Sequence, residues 1–174
     1  MNRILGTTLL AAFVAGCSSM GIGGDAGPKA SANLEPTKGN SAAGTVTFAQ
    51  HGDKVAVSAH VTGLKPGSEH GFHVHEKGDC SSGDGMSTGG HFNPAGKAHG
   101  PQTGEHHAGD MPSLKADSSG NASASFELSG VSIGSGAGDL VGKGLIVHAN
   151  PDDYKTQPTG NAGGRIACAV IRKA

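Results

Sequence analysis

The chain has 174 residues, with 13 Lys and Arg against 14 Asp and Glu and 35% hydrophobic side chains, enough for one domain and an appendage. A net charge of −1 provides neither a basic surface for nucleic acid nor an acidic excess for a cationic partner. Glycine is abundant at 31 residues, tryptophan is absent and aromatics reach only 3%, a composition that suits short strands joined by glycine turns and argues against a helical bundle.

In chain order, the first element is a processing signal over residues 1–16. Arg3 supplies a positive charge, and the apolar stretch Ile4 to Val14 is too short to span a bilayer as a mature helix. Val14-Ala15-Gly16-Cys17 follows at once. Small residues before a cysteine resemble the lipobox of bacterial lipoproteins, which implies cleavage before Cys17, lipidation of its thiol and a membrane anchor. Ser18, where Asp would favour inner-membrane retention, points the anchor to the outer membrane of the cell envelope, on the periplasmic side. If Cys17 carries lipid, Cys80 and Cys168 remain to pair in an oxidising compartment, or to stand as two unrelated buried thiols.

Residues 17–43 are rich in Gly, Ala, Ser and Pro without hydrophobic period, so they read as a flexible tether, with the domain running from 44 to 174. Val46 and Phe48 alternate with polar residues, His51-Gly52-Asp53 breaks the pattern, and Val55, Val57, Ala59 and Val61 resume it. That pair predicts a β-hairpin. Gly63 to Gly67 is a turn, and Gly71 to His75 a further strand. No strand pattern survives from Glu76 to Lys115, a length of loop acceptable where a function or a metal organises it. Alternation returns at Ala122 to Leu128, at Leu145 to His148 and at Arg165 to Ile171. The expected fold is all-β, an antiparallel barrel or sandwich of about eight strands with long loops.

Seven of the ten histidines fall between His70 and His107. On a strand, His73 and His75 point to one face while Phe72 and Val74 point to the other. Downstream come His91, His99, His107, Asp110 and His148. These ligand types exceed one four-coordinate site, and sharing one histidine divides them into two sets of four. His91, His99, His107 and Asp110 offer three imidazoles and a carboxylate, suited to tetrahedral zinc. His73, His75, His91 and His148 offer four nitrogens, suited to copper(II). His91 is the shared ligand.

Gly71-Phe72-His73-Val74-His75-Glu76, Gly90-His91-Phe92-Asn93-Pro94, His107-Ala108-Gly109-Asp110 and Gly160-Asn161-Ala162-Gly163-Gly164-Arg165-Ile166-Ala167-Cys168 resemble the copper/zinc superoxide dismutases. Gly78-Asp79-Cys80 after the histidine pair resembles their exported bacterial branch. The resemblance spans about Gly44 to the C-terminus and implies a Greek-key barrel. It implies copper on His73, His75, His91 and His148, zinc on His91, His99, His107 and Asp110, and a Cys80–Cys168 disulfide. The implied reaction converts superoxide to O₂ and H₂O₂ at copper. His91 is then the bridge and proton handler, and Arg165 the cation that steers the anion. Asp152 resembles the carboxylate that bonds a copper-ligand and a zinc-ligand histidine, here His73 and His99.

His51, His60 and His70 are expected to be structural. His107 is favoured over its neighbour His106, because its three-residue step to Asp110 matches the family pattern. Lys54, Lys65 and Lys97 read as solvated charges, Thr159 as a turn residue or a constriction of the anion channel, and the Asn121 sequon as incidental. Relatives occur as monomers and dimers, so a homodimer is open. The alternative to an enzyme is a periplasmic copper- and zinc-binding module without turnover.

Overall fold

The hairpin expected around His51 forms within the largest sheet. In this computed structural model, which describes residues 27–174, the strands are β1 (Lys29–Pro36), β2 (Ala43–His51), β3 (Lys54–Thr62), β4 (Glu69–His70) and β5 (Phe72–His75). They continue with β6 (Leu114–Lys115), β7 (Ala122–Ser129), β8 (Gly144–His148), β9 (Arg165–Val170) and β10 (Arg172–Lys173). A single 3₁₀ turn, Met86–Thr88, interrupts the long loop after β5. The fold is all-β and antiparallel.

The main sheet runs β5-β8-β9-β1-β2-β3-β7, with β10 joining it beside β1, and β4 pairs with β6 in a separate two-stranded ribbon. β2 and β3 pair in continuous register from Ala43↔Thr62 to His51↔Lys54. Gly52, at φ +61°, supplies the left-handed turn between them. Val46 and Phe48 face inward opposite Ala59 and Val57, and all four are buried. The sheet curls so that Phe72 and Val74 of β5 and Ala122 and Leu128 of β7, from opposite ends of the strand order, share one core cluster with Leu145, Val147 and Ile171. The sheet is curled into a half-barrel, consistent with the expected antiparallel Greek-key barrel.

The tether reading needs correction at its C-terminal end. Lys29–Pro36 is a strand, and β1 holds the two halves of the sheet together, pairing with β2 through six residue pairs and with β9 at Glu35↔Cys168 and Pro36↔Ala167. Ala30, Ala32 and Leu34 are buried while Lys29 and Asn33 are exposed. The period of two is present, but methyl groups carry it, amid Ser, Gly and Pro. The ordered domain therefore begins by Lys29, not Gly44. The signal segment, Cys17 and the first part of the tether lie outside the described residues.

Two further details differ from the expected strands. Leu114–Lys115, inside the stretch expected to be loop, pairs with Glu69–His70. The run from Arg165 divides into β9 and β10 at Ile171, whose side chain is fully buried. These details leave the placement of β5, β8 and the long loop as expected, and those segments carry the site.

Candidate metal centre

β5 and β8 lie side by side, with Phe72↔Val147 and His73↔Ile146 in register. Every residue of both strands is buried. His73 and His75 share one face of β5, and His148 ends β8 beside them. The long loop then folds back along β5 through isolated antiparallel bridges, His75↔His91 and His73↔Asp110. Gly109 makes this approach possible, because a Cβ there would sit 2.3 Å from the Val74 carbonyl oxygen.

Two ligand clusters result. His73, His75, His91 and His148 form one, and His91, His99, His107 and Asp110 form the other. Within each, one ligand atom per residue lies within 4.8 Å of all the others, and all seven residues are buried.

Hydrogen bonds decide which nitrogen of each imidazole is free. His73 Nε2 donates to Asp152 Oδ2 at 2.7 Å, His75 Nδ1 donates to the Gly89 carbonyl at 2.9 Å, and His148 Nδ1 donates to the Gly163 carbonyl at 3.2 Å. A neutral imidazole with one nitrogen donating presents a lone pair on the other. His73 Nδ1, His75 Nε2 and His148 Nε2 therefore face the cluster as acceptors. The last two stand 3.4 Å apart with no proton left to place between them. His73 Nδ1 and His91 Nε2 are buried without any hydrogen-bond partner, as is His99 Nδ1 in the second cluster. Buried polar atoms are almost always satisfied, so these orphans mark where cations belong.

The electrostatics agree. Burial pushes His73 down to about 4 and His148 down to about 3, and it holds His75 well below the usual histidine range. Those three imidazoles are neutral at pH 7, the form that binds a metal. In the second cluster burial would raise Asp110, but the hydrogen bond from His91 Nδ1 and the close approach of His99 outweigh it and keep the carboxylate ionised. Asp110 Oδ1 lies 2.8 Å from His91 Nδ1 and 3.3 Å from His107 Nδ1, and Oδ2 lies 2.9 Å from His99 Nδ1. The His99 contact is short yet not aligned as a hydrogen bond, as expected when both atoms aim at a common point instead of at each other. Burial also lowers His107. For His99 burial works downward too, but Asp110 and Asp152 overcome it and raise the ring to about 9, so a metal entering there displaces a proton.

Asp152 is buried between the two clusters. Its Oδ2 takes His73 and its Oδ1 takes His99 Nε2 at 2.9 Å, joining the two clusters through one carboxylate. Gly160, at φ +64°, is confined to glycine on two counts, since a Cβ would also lie 1.8 Å from Asp152 Oδ1.

Arg165 is half-buried at the start of β9. Its Nη1 donates to the Gly85 carbonyl at 2.6 Å and to Thr88 Oγ1 at 2.7 Å, and its Nη2 donates to the Gly89 carbonyl at 2.7 Å. Gly89 is the carbonyl that also receives His75 Nδ1. Burial lowers the guanidinium somewhat, opposed by Asp84, and it remains a cation at any ordinary pH. The Cys80–Cys168 disulfide is formed, with Cα atoms 6.0 Å apart, and it ties the loop of Gly85 and Gly89 to the strand of Arg165.

The residues expected to be structural behave so. His70 is buried, bonded to Ser68 Oγ at 2.6 Å and to the His148 carbonyl at 2.8 Å. His51 and His60 are exposed, and His106 bonds the Gly104 carbonyl away from the clusters. Lys54 pairs with Glu127 at the surface, and Lys65 and Lys97 are exposed. The Thr159 carbonyl closes a turn on Ala162 N–H. Sequence reasoning missed Tyr154, Gln157 and Thr88, and took Gly160 only as the first residue of the motif that ends at Cys168.

Comparison with known proteins matches this arrangement. A solved structure described as the clock protein EA4 superposes with a TM-score of 0.76 at 40% identity, over 84% of this chain and 94% of that one. The family model for copper/zinc superoxide dismutase matches residues 42–171, a span that contains both clusters, Arg165 and the disulfide. The chain belongs to the copper/zinc superoxide dismutase family.

Proposed function

We propose that the protein is a superoxide dismutase, with copper held by His73, His75, His91 and His148 and zinc by His91, His99, His107 and Asp110. The donor sets support the division: four neutral imidazole nitrogens suit copper, and three imidazoles with a carboxylate suit zinc. Copper bound there would supply the redox chemistry, one superoxide losing an electron to give O₂ and a second gaining it, with two protons, to give H₂O₂.

The protein's own residues do the rest. Arg165 presents a permanent cation beside the four-histidine cluster, fitted to draw in and orient a small anion. His91, shared by both clusters, would be the proton handler, since its Nε2 faces the four-histidine cluster without a hydrogen-bond partner. Asp152 keeps His73 and His99 in the tautomers that expose Nδ1. The observation that carries the reading is the Gly89 carbonyl, which receives both His75 Nδ1 and Arg165 Nη2. A metal store has no need of a cation locked to one of its ligands.

The same proposal includes export, with a lipid on Cys17 anchoring the protein in the bacterial cell envelope and protection of that compartment as its role. The disulfide supports it, since such bonds persist in oxidising compartments.

Superoxide decay and metal content of the purified protein, His148→Ala and Arg165→Ala test the reading. His148→Ala should lose copper while retaining zinc. Arg165→Ala should retain both metals, but turn over at least about tenfold more slowly and with weaker salt dependence, because the steering charge is gone. An Arg165→Ala rate equal to the wild type would leave the copper- and zinc-binding module without turnover as the better account.

A further inference from the structure

His99 sits in a stretch with no strand partner, yet its backbone is fully engaged. The side-chain amide of Gln157 accepts from the His99 N–H at 2.8 Å and donates to the His99 carbonyl at 2.9 Å, doing for one residue what a neighbouring strand would do. Three residues earlier, Tyr154 touches the same neighbourhood three ways. Its amide donates to Asp152 Oδ1 at 2.7 Å, the oxygen that holds His99 Nε2. Its ring lies parallel to the His99 imidazole, 4° between planes and 6.5 Å between centroids, so the two are well offset. Its hydroxyl accepts from Ser113 N–H at 2.8 Å and donates to Ser113 Oγ at 3.0 Å, three residues beyond Asp110.

Tyr154 achieves this from φ +55°, a left-handed conformation unusual for an aromatic residue. Such strain persists only where the surroundings over-determine it, and it concentrates at functional sites. The segment after Asp152 thus grips the second cluster at both ends, at His99 and behind Asp110.

We propose that Tyr154 and Gln157 are positioning residues for zinc. They hold His99 and the Asp110 segment in the ligating arrangement before the ion arrives, and so set how tightly zinc is retained, independently of copper. The proposal rests on the zinc reading of the His91, His99, His107 and Asp110 cluster. Neither residue touches the four-histidine cluster directly, which gives the proposal its asymmetry. Tyr154 is also the only tyrosine in a chain without tryptophan, so its emission reports on this one location.

The test uses the purified wild type, Tyr154→Phe, Gln157→Glu and Gln157→Ala, stripped by chelation and titrated separately with zinc and with copper by calorimetry. Circular dichroism checks the fold of each. Gln157→Glu keeps the acceptor for His99 N–H but sets a second oxygen against the His99 carbonyl, and the exposed position tolerates the change. Zinc should bind about tenfold more weakly in Tyr154→Phe and Gln157→Glu, the scale typical of contacts that orient metal ligands, while copper shifts by no more than about twofold. Tyrosine emission of the wild type should change on zinc addition and saturate at one ion per chain, and in Gln157→Glu it should need more zinc to do so.

Unchanged zinc affinity in folded variants overturns the proposal. So does an equal loss for both metals with a lowered melting temperature, which would mean general loosening. If the wild type takes up no zinc, the reading of the cluster falls and this proposal with it. If the wild type binds zinc and the variants bind it equally well, only this proposal falls.

Discussion

Replacing Gly160 with alanine perturbs the link between the two clusters at one atom. The new Cβ would lie 1.8 Å from Asp152 Oδ1 and 2.6 Å from His99 Nε2, whereas real Cβ contacts essentially never come under 3.0 Å. The carboxylate must retreat, and the 2.9 Å bond to His99 and the 2.7 Å bond to His73 cannot both survive. Losing one charge-assisted hydrogen bond costs about 1.5–3 kcal/mol. A left-handed alanine costs about 1–2 kcal/mol more. The sum, about 3–5 kcal/mol, should lower the melting temperature of the metal-free protein by roughly 6–20 °C, at ~2–4 °C per kcal/mol for a chain of this size. Gly39→Ala is the control, because Gly39 is also left-handed, at φ +81°, with nothing within 4 Å of its would-be Cβ. It should show the backbone cost alone. Calorimetry of both variants, metal-free and zinc-loaded, gives the comparison, and Gly160→Ala should also bind zinc about tenfold more weakly. Equal melting temperatures and equal zinc affinities for the two variants would refute the steric reasoning and the linking role of Asp152.

The disulfide closes a segment of 88 residues, so its removal by Cys168→Ser should cost about 4–5 kcal/mol in the chain-entropy account. The matching fall in melting temperature, roughly 8–20 °C, should be accompanied by weaker superoxide turnover, since the Gly85 and Gly89 carbonyls that hold Arg165 lose their tether; an unchanged melt would contradict the first part. The metal-free protein should be most stable near neutral pH. His73 and His148 have folded pKa values of about 4 and about 3, below the ~6.5 of an unfolded histidine, so the unfolded chain binds more protons as pH falls from ~6.5 towards 4 and stability drops through that window. Asp110 and Asp152, held low in the fold despite burial, add to the loss in more acid solution. His99 works the other way: raised to about 9, it contributes stability that is complete below ~6.5 and lost as pH rises through 9. A melting temperature flat from pH 7 to 4.5 without metal would contradict the buried neutral histidines.

The ligands were legible in the sequence because metal sites restrict residue type severely, and because His73 and His75 sit on a strand whose period sets their direction. Asp110 was legible from its three-residue step after His107. β1 was not, since Ala30 and Ala32 carry its inward face and their small apolar area barely rises above a Ser- and Gly-rich background. Tyr154 and Gln157 were hidden for a different reason. Gln157 acts through a side-chain amide on the backbone of a residue 58 positions away, and such a contact leaves no periodic trace. Gly160 was visible as the first residue of the Gly160 to Cys168 motif, but its steric necessity appears only once Asp152 is seen packed against it.

The central claim is turnover at the four-histidine cluster beside Arg165. It is tested most directly by following superoxide after pulsed generation, with the protein loaded to one copper and one zinc per chain and free metal removed. Decay should accelerate in proportion to protein, each copper should consume many superoxide ions, and O₂ and H₂O₂ should form in equal amounts. Decay no faster than with the metal-free protein, at full copper occupancy, would contradict the account.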